Sequence, residues 1–182
     1  MPNKSDLELV RQVLNGKNQA FEMLVVKYQK PIFNAAFRMV QNSDDAEEIA
    51  QSAFVKAYEK LSSYNEKYKF FSWLYRIAIN ETLNFISKRK NKDSLDTEMV
   101  SRESSPEDLY SHSERSQNLQ IALGELKSEY RAVIVLKHLQ ELSYQEISEI
   151  LDVPVKTVKS RLFTARQQLR EVLLKRGIQF GG

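Results

Sequence analysis

The stretch that decides the fold is residues 143–170, SYQEISEILDVPVKTVKSRLFTARQQLR. Ser143, followed by Glu146 three residues later, predicts a capping box at the start of a short helix. Pro154 ends this pattern, because proline disfavours helical geometry in the residue that precedes it. A second helix follows, and its buried face is predicted by apolar residues at steps of three and four: Val158, Leu162, Ala165, Leu169 and Val172. The sequence therefore predicts two helices joined by a tight turn.

The opposite face of the second helix is basic. At about 100° per residue, one stripe holds Lys156, Lys159, Phe163, Arg166 and Arg170, with Ser160 and Gln167 beside it. Residues 155–170 include five basic side chains and no acidic one, whereas a solvated helix face usually mixes the two signs. Cations interleaved with hydroxyl and amide groups suit phosphates and base edges in a major groove. We therefore predict a DNA-binding helix-turn-helix.

Composition restricts the class of protein. The chain has 182 residues, enough for one large or two small domains. Of these residues 42% are hydrophobic, with only 5 Gly and 4 Pro, and we predict an all-α fold. It has no Cys, which excludes disulfides and thiolate metal sites and is compatible with a reducing cytoplasm. Its 2 His cannot by themselves form a metal site, and we expect no cofactor. The first residues lack a signal-peptide pattern and no apolar run approaches a bilayer span, so we expect a cytoplasmic protein without membrane insertion.

Charge is unevenly distributed along the chain. Residues 1–92 hold 15 basic and 10 acidic residues (net +5), residues 93–112 hold 1 and 6 (net −5), and residues 113–182 hold 11 and 8 (net +3). An acidic, polar stretch between two basic blocks is typical of a linker between domains that face nucleic acid. We predict an N-terminal domain at 1–92, a flexible linker at 93–105, and a C-terminal four-helix domain at 106–182 that starts a helix at Ser105 and Pro106.

Two helical patterns in the N-terminal domain carry specific expectations. One starts near Asn18 and contains Pro31, where we expect a kink or a short break. The next begins at Ser43, has acidic residues in its first turn where the helix dipole favours them, and runs to about Leu61. Its inner face is expected to be formed by Ile49, Ala53, Val55, Ala57 and Tyr58.

Residues 64–92 combine aromatic and basic side chains. Six aromatic residues fall within residues 64–75, with Lys67 and Lys69 among them. Core packing accounts for many aromatic residues, and Trp73 is a candidate core residue. Rings beside cations are also what single-stranded nucleic acid needs, because bases stack on the rings while cations follow the backbone. Asn80 and Asn84 lie one helical turn apart, so both amides can reach one ligand.

Four segments of the chain resemble extracytoplasmic-function sigma factors of bacterial RNA polymerase. They are FxxLVxxY at 21–28, AEEIAQSAFVKAY at 46–58, FxxWLYRIAxN at 70–80 and SYQEISEILDVPVKTVKSRLFTAR at 143–166. The segments occur in the family's order, and the resemblance covers nearly the whole chain. It implies a sigma factor, not an enzyme, that binds core polymerase and directs transcription initiation at specific promoters.

The resemblance assigns roles residue by residue. The C-terminal domain would read the −35 element as duplex through Lys137, Lys156, Lys159, Ser160, Phe163, Thr164 and Arg166. The N-terminal domain would open the promoter near −10 and capture an unstacked non-template base through Lys56, Tyr64, Lys69, Phe70, Trp73, Asn80 and Asn84. Core polymerase would be bound by Asp45, Glu48, Gln51, Ser52 and Phe54.

The implied partners are core RNA polymerase, through its β′ clamp coiled coil and its β flap, promoter DNA as duplex and as single strand, and an anti-sigma factor. The chain departs from the family pattern at Ser52, where an acidic residue is common. This departure is expected to weaken one contact with polymerase.

Two other classes of protein remain open from the residues alone. A stand-alone helix-turn-helix transcriptional regulator would bind duplex DNA as a dimer, and its footprint would not require core polymerase. An enzyme that acts on nucleic acid is disfavoured, because the sequence lacks a metal-ligand cluster and a carboxylate pair with a defined partner.

Overall fold

In the residues described by the computed structural model, 5–95 and 114–178, the chain forms eight α-helices and no β-strand. The N-terminal group is α1 (Asp6–Leu14), α2 (Gln19–Val40), α3 (Ser43–Glu59) and α4 (Phe70–Leu95), with a 3-10 turn at Leu61–Ser63. The C-terminal group is α5 (Glu114–Glu125), α6 (Ser128–Ile134), α7 (Tyr144–Leu151) and α8 (Val155–Lys175), with a π-helical turn at Val135–Leu139 after α6. The predicted all-α class is confirmed.

Side-chain caps fix where three of these helices begin: Ser5 caps α1, Asn42 caps α3 and Ser143 caps α7. Asn42 Oδ1 accepts a hydrogen bond from the Asp45 N–H before α3. At α7 the predicted capping box is present: Ser143 Oγ accepts from the Glu146 N–H at 3.1 Å, and the Glu146 carboxylate accepts from the Ser143 N–H at 2.9 Å. Each cap satisfies an N–H that the helix itself leaves unpaired, which stabilises the helix by about 1 kcal/mol.

Helix α2 runs through Pro31 without the break that the sequence led us to expect. Leu24 before the proline and Ile32 after it are both buried, and packing on both sides favours one continuous helix. Proline lacks the N–H that would bond the carbonyl of Lys27. Because Lys27 is an exposed residue, water can satisfy that carbonyl instead.

The predicted inner face of α3 is wrong at Val55 and Tyr58, which are 57% and 45% exposed. The buried residues of α3 instead follow one stripe at steps of three and four. The stripe consists of Ala46, Ile49, Ala50, Ala53, Phe54 and Ala57. Positions 55 and 58 fall beside this stripe because the helix repeats every 3.6 residues or so.

Helix α4 continues to Leu95, past the predicted end of the N-terminal domain at residue 92. Residues 93–95, at the start of the predicted linker, are therefore helical. Lys92 lies in the last turn of α4, where a cation interacts favourably with the helix dipole. The rest of the predicted linker and the predicted helix start at Ser105 and Pro106 lie outside the described residues, so the domain boundaries there stay a prediction.

One cluster of buried apolar side chains extends through both groups of helices. It includes Leu9 of α1, Leu24 of α2, Leu74 of α4, Val133 of α6 and Leu162 of α8. Helix α4 contacts α7, and α2 contacts α5. The N-terminal and C-terminal groups thus pack directly against each other, and this places the helix-turn-helix beside the start of α4.

Candidate nucleic-acid interface

The basic stripe of α8 is exposed along its whole length. Its members are Lys156, Lys159, Phe163, Arg166 and Arg170, all exposed. Ser160 is exposed beside them and Thr164 is half-buried. The Phe163 ring is 64% exposed and so contributes little to the core, which leaves the stripe free to bind a ligand.

The turn between α7 and α8 fixes the direction of the basic helix. Asp152 ends α7 in the left-handed conformation, with φ at 54°. Ser148 Oγ donates to the carbonyl of Val153 at 2.6 Å, and the carbonyl of Pro154 accepts from the Val158 N–H at 3.1 Å. A short capped helix, this turn and the basic second helix form the helix-turn-helix that the sequence predicts.

Tyr144, the first residue of α7, lies against two lysines that were predicted to bind DNA. The Lys137 ammonium is 4.7 Å from the centre of the Tyr144 ring, and the Lys159 ammonium is 5.6 Å from it. Lys137 Nζ also donates to the carbonyl of Leu142 at 3.1 Å. The negative face of the ring favours both cations and holds them near each other on one side of the helix-turn-helix.

Replacing Tyr144 by leucine is expected to weaken duplex DNA binding about five- to thirtyfold, because two cation–π contacts of roughly 0.5–1 kcal/mol each are lost. Tyr144→Phe keeps the ring and should bind as the parent chain does. Fluorescence anisotropy with a labelled duplex measures both variants. Equal losses in the two variants would assign the effect to the hydroxyl and contradict the role of the ring.

His138 accepts a hydrogen bond from a second basic side chain of the stripe. Arg166 Nε donates to His138 Nε2 at 3.1 Å. Burial lowers the pKa of His138, and the neighbouring cations Arg166 and Lys137 lower it further. The imidazole is therefore neutral at pH 7, which keeps Nε2 available as the acceptor that orients Arg166.

We expect His138 to titrate below the ordinary histidine pKa of about 6.5 in the folded protein. Protonation removes the acceptor at Nε2, so the bond from Arg166 breaks as the pH falls through the lowered pKa. The unfolded chain takes up its proton at a higher pH, so folding stability declines from about pH 6.5 down to the folded-state pKa. NMR titration of the imidazole measures this pKa. Arg166→Ala should raise it only in part, because burial is the larger cause; a value at or above 6.5 in the parent chain would contradict the assignment.

An aromatic cluster stands at the start of α4. Phe70 lies 5.7 Å from both Tyr64 and Trp73, centre to centre, and Tyr64 lies 5.4 Å from Trp73. Phe70 is only 2% exposed, whereas Tyr64 and Trp73 are half-buried. Of these three predicted residues, Phe70 supports the surface from beneath, and Tyr64 and Trp73 can offer part of a ring to a ligand.

The outer face of α4 presents Asn80 and Asn84, both exposed and one turn apart. Between them, Glu81 accepts hydrogen bonds from Ser52 Oγ at 3.0 Å and from Lys56 Nζ. Burial pushes the pKa of Glu81 upward, but the bonds from Lys56 and Ser52 outweigh it and the pKa ends below its ordinary value. Glu81 is therefore ionised and ties α3 to α4. An acidic residue in place of Ser52 would face this carboxylate.

The residues predicted to bind polymerase divide into an exposed and a buried set. Glu48 and Gln51 are exposed on α3. Asp45 is 6% exposed and its carboxylate is paired with Arg89 at 3.1 Å, so it is held inside the fold. Phe54 is 9% exposed and forms part of the wall of an open groove between α2 and α3.

Two side chains that organise these surfaces were missed by the sequence reasoning, Glu81 and Tyr144. Glu81 directly follows Asn80, and Tyr144 directly follows the predicted cap Ser143. Neither position stands out along the chain, because the partners of each lie on other helices. Within the ranges 5–95 and 114–178, no group of three or more acidic or histidine residues could hold a metal ion. No helix in those ranges is long and apolar enough to cross a membrane.

Comparison with protein families gives two matches. Sigma-70 region 2 matches residues 24–92, and Sigma-70, region 4 matches residues 116–169. The first match includes most of α2, all of α3 and α4 up to residue 92. The second match includes the helix-turn-helix and ends at residue 169 of α8.

Several known proteins are similar to most of the chain. ECF RNA polymerase sigma factor SigW of Bacillus subtilis (strain 168) is 40% identical over 176 residues, which are 90% of this chain and 94% of SigW. ECF RNA polymerase sigma-E factor of Escherichia coli (strain K12) is 36% identical over 177 residues, 91% of this chain and 92% of that protein.

Two solved structures share the arrangement of helices. CnrH in complex with the cytosolic domain of CnrY aligns with a TM-score of 0.72 and 25% identity, covering 93% of this chain and 97% of that one. The sigma factor RpoE in complex with the anti-sigma factor NepR from Bartonella quintana aligns with a TM-score of 0.68 and 25% identity. The alignment covers 84% of this chain and 96% of that one.

Proposed function

This chain belongs to the extracytoplasmic-function (ECF) sigma factors of RNA polymerase. On that premise we propose that it binds core polymerase, reads the −35 element of a promoter as duplex DNA and reads the −10 element as a melted single strand. Its relatives are transcription initiation factors and indicate no catalytic activity. The observation that carries the proposal is the exposed stripe of α8. Between residues 155 and 170 of this second helix the cations have no acidic residue beside them, and such cations supply phosphate and base contacts in duplex DNA.

The C-terminal helices read the −35 element as duplex. Lys159, Phe163 and Arg166 lie on the exposed stripe, where a major groove can accept them. Lys137 joins this surface through the ring of Tyr144, which it shares with Lys159. Lys156, Ser160 and Thr164 complete the proposed −35 surface.

The N-terminal helices capture the melted −10 strand. Asn80 and Asn84 offer exposed amides that can bond base edges, and half-buried Tyr64 and Trp73 offer rings on which bases stack. Unstacking a base costs a few kcal/mol, which stacking and amide hydrogen bonds can offset. Phe70 is buried, and Nζ of Lys56 donates a hydrogen bond to Glu81. We therefore assign positioning roles to both residues.

Core polymerase binds the outer side of α3 through exposed Glu48 and Gln51 and the groove beside Phe54. The carboxylate and amide complement a basic surface, and the groove accepts an apolar side chain, which suits the β′ clamp coiled coil. We assign the contact with the β flap of core polymerase to the C-terminal helices. Ser52 bonds Glu81 within the fold, and its hydroxyl is not assigned to polymerase.

We also propose an anti-sigma factor as a partner. The support is that RpoE, similar over 84% of this chain, was solved in complex with the anti-sigma factor NepR. Such a partner would hold the protein away from polymerase in the cytoplasm, where promoter DNA and core enzyme are found.

Run-off transcription with core polymerase on a library of −35/−10 combinations tests the proposed function. The purified chain should start transcripts at defined positions only when core polymerase is present. A footprint on the same DNA without core polymerase, together with no transcript when core is added, would instead fit a stand-alone helix-turn-helix regulator. Two sigma-70 regions in one chain do not favour that alternative.

A further inference from the structure

Helix α1 is assigned no role in the proposed function. It lies before residue 24, where the match to sigma-70 region 2 begins. One side of α1 packs in the core through Leu9, Val10 and Val13. Its other side carries charged side chains, and their partners lie on other elements, next to the proposed −10 surface. These contacts suggest a task for α1 beyond packing.

Arg11 ties α1 to the loop that leads into α4. We call residues 64–69 the 64–69 loop, and it contains Tyr64 and Lys69 of the proposed −10 surface. Arg11 Nε donates to Glu66 Oε1 at 3.1 Å, and Arg11 Nη2 donates to Glu66 Oε2 at 2.8 Å. The two parallel bonds fix the direction of the carboxylate, which a single bond would leave free to rotate. The hydrogen bonds from Arg11 lower the pKa of Glu66, so this carboxylate is charged at pH 7.

Bonds within the 64–69 loop give it a defined shape. The carbonyl of Asn65 accepts from the Tyr68 N–H at 3.1 Å, and Tyr64 Oη donates to the carbonyl of Tyr68 at 2.5 Å. Residues 65–69 are all exposed, so burial does little to hold this shape in place. The ion pair with Arg11 joins this exposed stretch to the N-terminal helices.

Asp6 ties α1 to the aromatic cluster at the start of α4. Tyr28 Oη donates to Asp6 Oδ2 at 2.5 Å. Burial raises the pKa of Tyr28 and the bond to Asp6 raises it further, so the hydroxyl stays protonated and remains a donor. The Tyr28 ring lies 5.9 Å, centre to centre, from Phe70, the buried ring against which Tyr64 and Trp73 pack. Asp6 therefore fixes a ring that supports the cluster from below.

We propose that α1 is a brace for capture of the melted −10 strand, with Arg11 and Asp6 as positioning residues that do not touch DNA. The inference rests on the proposed function, and it adds a role for a helix outside the region 2 match. A loop and an aromatic cluster that are already in place lose less conformational entropy when a base docks. The brace thus favours capture of the melted strand and leaves duplex binding through α8 unchanged.

Charge favours this positioning role over a direct contact between Arg11 and DNA. The guanidinium is exposed, but the Glu66 carboxylate opposes its charge at 2.8 Å. The pair as a whole is neutral and attracts a phosphate only weakly. The two roles predict opposite effects for a cation at position 66. It would attract DNA if this pair faced the strand directly, and it would repel Arg11 if the pair is a brace.

Charge exchange in holoenzyme tests the brace. Arg11→Glu sets two carboxylates against each other, and Glu66→Arg sets two guanidinium groups against each other. Each single change should slow promoter opening about two- to fivefold, the scale set by an exposed ion pair. Making both changes together should restore the parental rate, because the pair forms again with its charges exchanged. Permanganate reactivity of the −10 thymines measures opening, and binding of the closed promoter should be the same in all three variants.

Two results of this exchange would overturn the proposal. Faster opening with Glu66→Arg would show that the added cation acts on DNA directly. A double exchange as slow as Arg11→Glu alone would show that Arg11 acts without Glu66.

Trp73 reports on the aromatic cluster without DNA, because it is the only tryptophan in the chain. It is half-buried and lies 5.4 Å from Tyr64, the first residue of the 64–69 loop. A loosened loop should therefore expose the indole to acrylamide. Arg11→Glu should raise the acrylamide quenching constant of Trp73 in the free chain, and the double exchange should return it to the parental value. An unchanged constant in Arg11→Glu would contradict the brace.

Matched changes control for charge and for α1 itself. Lys17→Glu reverses the charge of an exposed lysine that forms no ion pair within residues 5–95 and 114–178, and opening should stay at the parental rate. Asp6→Ala should slow opening, whereas Asp6→Asn keeps an oxygen that can accept the Tyr28 bond and should open at nearly the parental rate. Slowing by Lys17→Glu, or equal slowing by the two Asp6 variants, would count against the brace. Circular dichroism with a thermal melt verifies that every variant is folded.

Run-off transcription with core polymerase separates this inference from the proposed function. If the parent chain starts no transcripts, the proposed function fails. If the parent chain is active but Arg11→Glu matches it in opening rate and in quenching of Trp73, the brace fails and the proposed function stands.

Discussion

Replacing Asn80 and Asn84 together by alanine is expected to slow promoter opening by about 30-fold or more while initial binding to the duplex promoter stays nearly unchanged. Each amide-to-base contact contributes about 1–3 kcal/mol, and 1.4 kcal/mol corresponds to a tenfold change in rate. Both side chains are exposed, so their removal leaves no cavity. Alanine has the higher helix propensity, so α4 should be preserved. Permanganate reactivity of the −10 thymines, followed over time in the presence of core polymerase, measures opening directly.

Asn34→Ala is the matched control for this prediction. Asn34 is exposed on α2 and has no proposed role in DNA binding, so the same change of residue there should leave opening at the parental rate. Equal slowing by Asn34→Ala would point to a general effect on the fold. Slower opening together with weaker binding of the closed promoter would show that the two amides contact duplex DNA, and this would contradict their assignment to the melted strand.

Lys159→Ala and Phe163→Ala are expected to lower affinity for a −35 duplex by about tenfold each, but with different dependence on salt. A lysine on a phosphate releases counterions on binding, so its loss should reduce the salt slope by roughly one unit. Phe163, 64% exposed, has no charge, and its contact is apolar. Its loss should lower affinity at every salt concentration without changing the slope. Anisotropy of holoenzyme on a promoter fragment, titrated at several salt concentrations, distinguishes the two.

Two residues further along α8 serve as controls. Lys175 and Leu174 are exposed near its end, beyond Arg170, the last member of the stripe, and match the two substitutions in charge and in apolar character. Lys175→Ala and Leu174→Ala should keep both affinity and salt slope. Binding to the β′ clamp coiled coil should also be kept in all four variants, since the surface proposed for that contact lies on α3. If Phe163→Ala reduced the salt slope as much as Lys159→Ala, the ring would have to act by positioning a cation.

Local signals made the helix-turn-helix predictable. The capping box of Ser143 and Glu146 forms between residues three apart, and the breaking effect of Pro154 acts on its immediate neighbour. The buried and basic faces of α8 follow from a period of about 3.6 residues, which an amphipathic helix of this length displays in its sequence. The same local logic was wrong for Val55 and Tyr58 of α3, because an apolar side chain does not by itself specify which stripe is buried.

Burial inside the candidate site could not be predicted. Asp45, Phe54 and Phe70 fit the motif for a binding surface, yet they are 6%, 9% and 2% exposed. Asp45 is paired with Arg89, which is 44 residues away along the chain. A sequence motif identifies the residues that occur together with a function. It does not distinguish residues that contact the partner from buried residues that pack behind them.

The sequence by itself determined the all-α class, the helix-turn-helix, the unmixed basic face of α8 and membership of the ECF sigma factors. All of these depend on residues a few positions apart or on whole motifs. Only the tertiary structure decided that the two helix groups close on each other. The bonds responsible join Lys69 to Glu146, Gln41 to Gln120 and Arg131 to Met39, which are 77, 79 and 92 residues apart. Such pairs leave no periodic pattern in the chain, because each depends on the geometry of several helices packed together.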